Sequence, residues 1–332
     1  MKKLIEGFPA QLEEALQIAR AAKLSPAKAP IHNVLICGMG GSGIGANLIQ
    51  TFLYDELTVP VTVNKSYDIP NFVSANTLVI ACSYSGGTEE TLSGTHQAIA
   101  KGAQIVGVTS GGTLGKLLAD NGFEFITIPA RDKSPRAGVG YALAQLLRIF
   151  KHFGLSASDH FDDIASSARQ LTGFAKTIQA DAEDLAEKLR GKFPIFYADS
   201  RLEAVLLRNQ QQIAENSKQF SHQNFFPEMN HNELVGWRFP AGFFEDSVTV
   251  MLRTDYDNER TSTRMDICED IFLKAGTQLE ILGAKGQSFM QQAIYLVHLL
   301  DWVSYFLAVE NDVDPFPVDV ISFLKDELAK VA

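Results

Sequence analysis

At 332 residues, with 29 basic against 39 acidic side chains and a net charge of −10, the chain has material for about two domains of roughly 100–200 residues each. A composition 46% hydrophobic, 10% aromatic and 20% charged excludes a disordered chain, a coiled coil and a collagen-like repeat. The acidic balance argues against a nucleic-acid partner, which usually meets a basic face, yet leaves room for a small anion in a locally positive pocket.

Met1-Lys2-Lys3 runs into Leu4-Ile5-Glu6-Gly7 without an apolar core, so no secretory signal is expected. Val34–Cys37 reads as a short strand, closed by glycines and followed by a helix over 43–53. Strands are expected at 59–63, 77–82, 104–108 and 123–128, with helices at 89–101, 114–121 and 137–150 between or after them. Continuous apolar strands separated by helices predict a mainly parallel sheet covered on both faces.

A Gly-, Ser- and Asp-bearing linker near 154–159 divides the chain into expected domains 1–155 and 156–332. Helical sequence follows over 160–189. A second α/β unit then opens at Phe193-Pro194-Ile195-Phe196-Tyr197. It continues with a helix over 202–216, a long polar and aromatic loop over 219–233, a strand at 247–252, a helix over 260–274 and a strand at 278–282. A long apolar helix over 289–309 is interrupted by His298 and Asp301, which makes it a buried helix rather than a membrane span. Asp314-Pro315-Phe316-Pro317 breaks the chain before a last helix ending near Lys330. The fold class expected is therefore α/β, in two units of similar size with a suggestion of duplication. Cys37, Cys82 and Cys268 form no CxxC pair; Cys37 and Cys82, at the ends of apolar runs, read as buried thiols, and a reduced, cytoplasmic protein is expected.

Two glycine-rich junctions carry the chemistry. Gly38-Met39-Gly40-Gly41-Ser42-Gly43 follows a strand and opens a helix, where backbone N–H groups can meet an anion. It matches GxGxxG literally, but the next strand ends in Asn64-Lys65 without the acid that would hold a nucleotide ribose. Ser83-Tyr84-Ser85-Gly86-Gly87-Thr88-Glu89-Glu90-Thr91 lies at a second strand-to-helix junction. Ordinary helix capping by Ser85 or Thr88 accounts for one hydroxyl and leaves the others over, so a neutral phosphate cradle is the reading preferred. No zinc or nucleotide-triphosphate motif is present. Glu228-Met229-Asn230-His231-Asn232-Glu233, with His222 and Glu215 nearby, could be taken for a metal site, but its spacing supports none. Arg136, just before a helix, could be no more than a surface cation.

These segments together resemble the bifunctional phosphoglucose/phosphomannose isomerase family of the sugar-isomerase (SIS) domain superfamily. The resemblance rests on Ser42, the segment from Ser83, Pro135-Arg136, Glu215-Asn216, Pro227–Glu233 and the ending Val320–Lys325. It implies two SIS-type units, each a mainly parallel sheet flanked by helices, with the C-terminal helix completing the active site. It implies that Gly41, Ser42, Ser83, Ser85 and Thr88 hold a sugar phosphate and that Glu215 is the base moving a proton between C1 and C2. Arg136 would stabilise the enediolate, His231 would open the ring, and Lys325 would approach the ring oxygen. The expected protein is a homodimer with His231 supplied in trans, with a sugar-phosphate substrate and no cofactor, metal, nucleic acid or membrane partner. Gly87 departs from the family, which more often has Asn there. Another SIS isomerase and a sugar-phosphate-sensing regulator are the competing readings, the second needing no Glu215, His231 or Lys325.

Overall fold

A computed structural model describes residues 1–130 and 134–331. In the first part of the chain, helices α1 (Lys2–Glu6) and α2 (Phe8–Ala21) precede β1 (Asn33–Cys37), α3 (Gly40–Phe52), β2 (Val61–Asn64), β3 (Thr77–Ser83) and α4 (Glu89–Ala100). Then come β4 (Gln104–Thr109), α5 (Gly112–Asp120), β5 (Glu124–Thr127), α6 (Val139–His152) and α7 (Phe161–Gly173). The second part holds α8 (Ala175–Leu189), β6 (Phe193–Asp199), α9 (Glu203–Gln212), β7 (His222–Phe226), β8 (Ser247–Arg253), α10 (Glu259–Ala275), β9 (Gln278–Gly283), α11 (Phe289–Glu310) and α12 (Asp319–Leu328).

The chain forms two compact units. The amino-terminal one comprises Glu6–Gly173 with Lys285–Ile294, and the carboxy-terminal one comprises Phe174–Ala284 and Tyr295–Ala332 with Met1–Ile5. The compact units therefore do not follow the 155/156 division expected from the linker. The reason is that α7, beyond that linker, packs on α2, and Asp163 at its start accepts hydrogen bonds from Ser288 (2.6 Å) and Gln291 (3.0 Å).

The amino-terminal sheet has the order β2-β1-β3-β4-β5 and is parallel throughout. All seven residues of β3 are buried, as a central strand covered on both faces requires. One core cluster joins Leu35, Val79, Ala81 and Ile105 of the strands to Ala98, Leu114 and Leu118 of α4 and α5. Burial raises the Cys37 thiol to about 12 and pushes Cys82 higher still, so both are inert packing groups.

The carboxy-terminal sheet is also parallel, in the order β7-β6-β8-β9. This repeats the first four strands of the other sheet: the second strand at one edge, then the first, third and fourth. Strand β7 lies where a loop was expected. Its sequence, His-Gln-Asn-Phe-Phe, lacks apolar alternation because it is an edge strand, half-buried over four of its five residues. The core here is aromatic: Tyr197 stacks on Phe272 with centroids 5.2 Å apart, and Trp237 on Phe244 at 4.4 Å. Helix α11 is long and apolar enough to cross a membrane, but 83% of its most apolar stretch is buried inside the protein.

Candidate active site

In both sheets the strand order reverses beside the first strand, the place where open parallel sheets bind ligands at the carboxyl ends of their strands. In the amino-terminal unit the loops leaving β1 and β3 meet there. Tyr84 donates its N–H to Ser42 Oγ (3.2 Å), which joins the two loops. The Ser83 and Thr88 hydroxyls lie 2.9 Å apart, and Ser83 Oγ also accepts from Gly86 N (3.1 Å). Ser85, exposed, accepts from Gly87 N (3.3 Å).

Thr88 is the N-cap of α4 by position, yet its hydroxyl makes no capping bond and turns to Ser83. Met39, the N-cap of α3, has no side chain able to cap. Two helix starts thus present their first amides without a side-chain acceptor, next to four hydroxyls, an arrangement suited to a phosphate. Glycine is required at two points. A Cβ on Gly86 (φ +71°) would stand 1.9 Å from the Gly111 carbonyl oxygen, and one on Gly41 would stand 2.6 Å from that of Pro135. Gly87 has open space beside it, so Asn would fit as in the family.

Arg136 lies in a short 3-10 turn over Pro135–Gly138 that packs on α3. It is buried at 6% exposure, which excludes the surface-cation reading. The Lys133 that precedes this segment in sequence lies outside the described residues. The structure therefore gathers Gly41, Ser42, Ser83, Ser85 and Thr88 around one sheet end, with Pro135-Arg136 against Gly41.

Glu215, His231 and Lys325 belong to the carboxy-terminal unit. Glu215 does not sit in an α-helix, as the expected 202–216 helix implied. The residues Ile213–Ser217 widen into a π-helical turn, a feature frequent at functional sites. The turn is held from behind by α11: Asn216 Nδ2 donates to Ser304 Oγ (2.9 Å) and Ser217 Oγ to the Ser304 carbonyl (2.7 Å). One turn earlier, buried Asp301 accepts from Arg208 (2.6 Å) and Gln212 (3.0 Å). Glu215 opens onto a cleft whose other wall is Pro317–Ile321, the entry to α12. Lys325 lies on that helix, exposed along its whole length.

His231 is exposed at the end of a 3-10 turn over Glu228–His231. Its neighbours anchor the loop on both sides. Met229 is fully buried in the aromatic core. Glu233 accepts hydrogen bonds from Tyr197, Asn224 and His222, the last at 2.9 Å. Burial raises the Glu233 carboxyl, but those three donors outweigh it and hold it below its ordinary value. His222 and Glu233 thus serve each other, and among the described residues no group of three or more His, Cys, Asp or Glu side chains is placed to hold a metal. No described contact brings His231 to Glu215 within this unit. Ser304, whose part in bracing this turn no motif announces, is a residue the sequence reading missed.

The fold and these loops define the class: an α/β protein of the SIS-domain superfamily of sugar-phosphate isomerases. Residues 178–328 match the model of the bacterial phospho-glucose isomerase C-terminal SIS domain. The C-terminal domain of glucosamine-fructose-6-phosphate aminotransferase from Francisella tularensis shares the fold at a TM-score of 0.75 over 95% of this chain and 97% of that one, with 14% identity. The bifunctional phosphoglucose/phosphomannose isomerase of Caldicellulosiruptor bescii is 37% identical over 100% of this chain and 99% of its own length. The D-glucosamine-6-phosphate 4-epimerase of Sulfolobus acidocaldarius is 30% identical over 68% of this chain and 70% of its own length. The chain belongs to the bifunctional phosphoglucose/phosphomannose isomerase family.

Proposed function

We propose that the protein interconverts glucose 6-phosphate with fructose 6-phosphate, and mannose 6-phosphate with fructose 6-phosphate, by an enediol mechanism. The observation that carries this reading is the presence, in one chain 37% identical to such an enzyme from end to end, of both an uncapped hydroxyl cradle and a carboxylate on a braced π turn. Gly41, Ser42, Ser83, Ser85 and Thr88 hold the phosphate, whose remote binding orients the reacting carbons. Glu215 removes the weakly acidic proton at C2 of the aldose and returns it to C1. Arg136 meets the negative charge that develops on the enediolate. His231 and Lys325 serve ring opening, which must precede the proton transfer because the bulk sugar has no free carbonyl. In this reading the protein works in the cytoplasm, in glycolysis or gluconeogenesis, as a homodimer that supplies His231 in trans.

The test is a coupled assay in EDTA on fructose 6-phosphate. Both glucose 6-phosphate and mannose 6-phosphate should form; one epimer alone removes the bifunctional reading, and neither removes the isomerase. Glu215→Gln should lower turnover by roughly 10²–10⁴-fold while inhibitor binding changes far less. Similarity to the epimerase favours one second reading, an amino-sugar phosphate substrate, and turnover of glucosamine 6-phosphate in place of the neutral sugars would establish it.

A further inference from the structure

Lys218 ends the π turn that carries Glu215, and it does so in the left-handed conformation, φ +55° and ψ +33°. Helices commonly end in that conformation, but on glycine, because a Cβ crowds the following carbonyl. A lysine held there points to a use for its side chain. Its Nζ donates to two carbonyls, that of Glu215 at 2.5 Å and that of Pro317 at 2.8 Å, 99 residues further along the chain.

Pro317 is two residues before α12, and α12 buries none of its side chains. With so little of this helix packed, the hydrogen bond from Lys218 is a direct tie between its entry and the Glu215 turn. The turn itself has an independent brace in Ser304, which receives Asn216 and Ser217 from the other side. Asn311 donates to the Ser217 carbonyl (3.1 Å) and to Gln219 (2.8 Å), which secures the end of α11. Loss of the ammonium would loosen the tie between the entry to α12 and this turn, while the bonds from Asn216 and Ser217 to Ser304 remain.

We propose that Lys218 is a positioning residue, a strut that sets the last helix, and with it Lys325, against the turn bearing the catalytic base. The proposal rests on the roles given above to Glu215 and Lys325. It assigns Lys218 no contact with substrate.

Lys218→Gly suits the backbone conformation, so the fold should be retained or improved while both hydrogen bonds vanish. Turnover should fall about 10–100-fold with KM within about threefold, the mark of a misplaced group rather than a lost binding contact. Lys218→Arg, which keeps a donor, should recover part of the loss, and Lys218→Met, which keeps the stem, should match the glycine variant. The decisive measurement is a double-mutant cycle with Lys325→Ala: the effect of Lys218→Gly should shrink to less than about threefold in that background. Equal losses in both backgrounds, or unchanged turnover in Lys218→Gly, would overturn the strut. Amide exchange separates this from the assignment of the base. Faster exchange of Asp319–Leu328 in Lys218→Gly supports the strut even if Glu215→Gln keeps full turnover, and unchanged exchange counts against it whatever Glu215 does.

Discussion

The two units solve the same topological problem with opposite chemistry. Each has a first strand flanked by the second and third, so each has a crevice where the loops after the first and third strands part. In the amino-terminal unit those loops are Gly38–Ser42 and Ser83–Thr88, and their helices start without side-chain caps. In the carboxy-terminal unit the matching loops carry acids that cap the backbone themselves. Asp199 accepts from Arg201 N (2.9 Å) and Asn258 N (3.3 Å), and Asn258 caps α10 through Arg260 N (2.9 Å). Asp257 closes on Thr254, accepting from its N–H (3.1 Å) and its hydroxyl (2.6 Å). Burial and the nearby Asp199 charge raise the Asp257 carboxyl, so a further anion would be unwelcome beside it. A repeated fold thus supplies a crevice in each unit, with uncapped helix starts at one and carboxylates bonded to the backbone at the other.

Making one crevice resemble the other gives the largest expected effect. Ser85→Asp places a carboxylate where the phosphate is proposed to sit, at an exposed position that tolerates the change. Like charges about 4 Å apart near a surface repel by about 4 kcal/mol, so affinity for a phosphate-bearing inhibitor should drop by roughly 10²–10³-fold in calorimetry. Ser85→Asn, equal in size and neutral, should lose far less. Equal losses in the two variants would mean that shape, not charge, governs the cradle.

Gly86→Ala comes next. The added Cβ meets the Gly111 carbonyl, and the φ of +71° is strained for alanine. A loss of about 2 kcal/mol or more is expected, lowering Tm by roughly 5–8 °C. A melting temperature equal to wild type would show that the loop after β3 can move away from Gly111.

The converse change in the second crevice should be milder. Asp199→Ala removes the acceptor for two N–H groups and should cost about 1 kcal/mol of stability. It should leave turnover unchanged and calorimetric stoichiometry at one sugar phosphate per chain. A second equivalent bound would show that only Asp199 keeps that crevice closed.

Acidity offers the smallest effect, through a half-buried ion pair of the amino-terminal unit. In the amino-terminal unit His160, paired with Asp163 at 3.7 Å, together with the hydrogen bonds from Ser288 and Gln291, holds the Asp163 carboxyl at about 2. The partnership raises His160 in return, through Asp163 and then through Glu56 at 2.8 Å. A depressed carboxyl contributes stability above its unfolded value of about 3.9, and that contribution is lost as the pH falls towards 2. The raised histidine contributes below about pH 6.5 and loses its share as the pH climbs through its folded value. Asp163→Asn should flatten the acid limb of a chemical-denaturation profile between about pH 4 and pH 2, and an unaltered slope there would assign the acid loss to other carboxylates.

Much of this was legible in the residues. Apolar strands alternating with helices require a covered parallel sheet, glycines beside hydroxyls require a close-approach loop, and the motifs from Ser42 to Lys325 place the chain in its family. What escaped the reading depends on contacts between distant residues. Strand β7 has no period of its own and exists because β6 offers a free edge. Arg136 could be read as a surface cation or a site residue, because its burial comes from packing on α3, far along the chain. The widening of the helix at Glu215 is stabilised by Ser304, 88 residues from Asn216, and the left-handed Lys218 by a carbonyl 99 residues away. Local sequence determined element type, core pattern and the chemistry of the loops, because backbone propensity and hydrophobic period act over a few residues. Only the tertiary structure decided which helix starts stay uncapped, which loop amides meet a carboxylate and how the Glu215 turn is braced, because each depends on a hydrogen bond or a burial that no local segment contains.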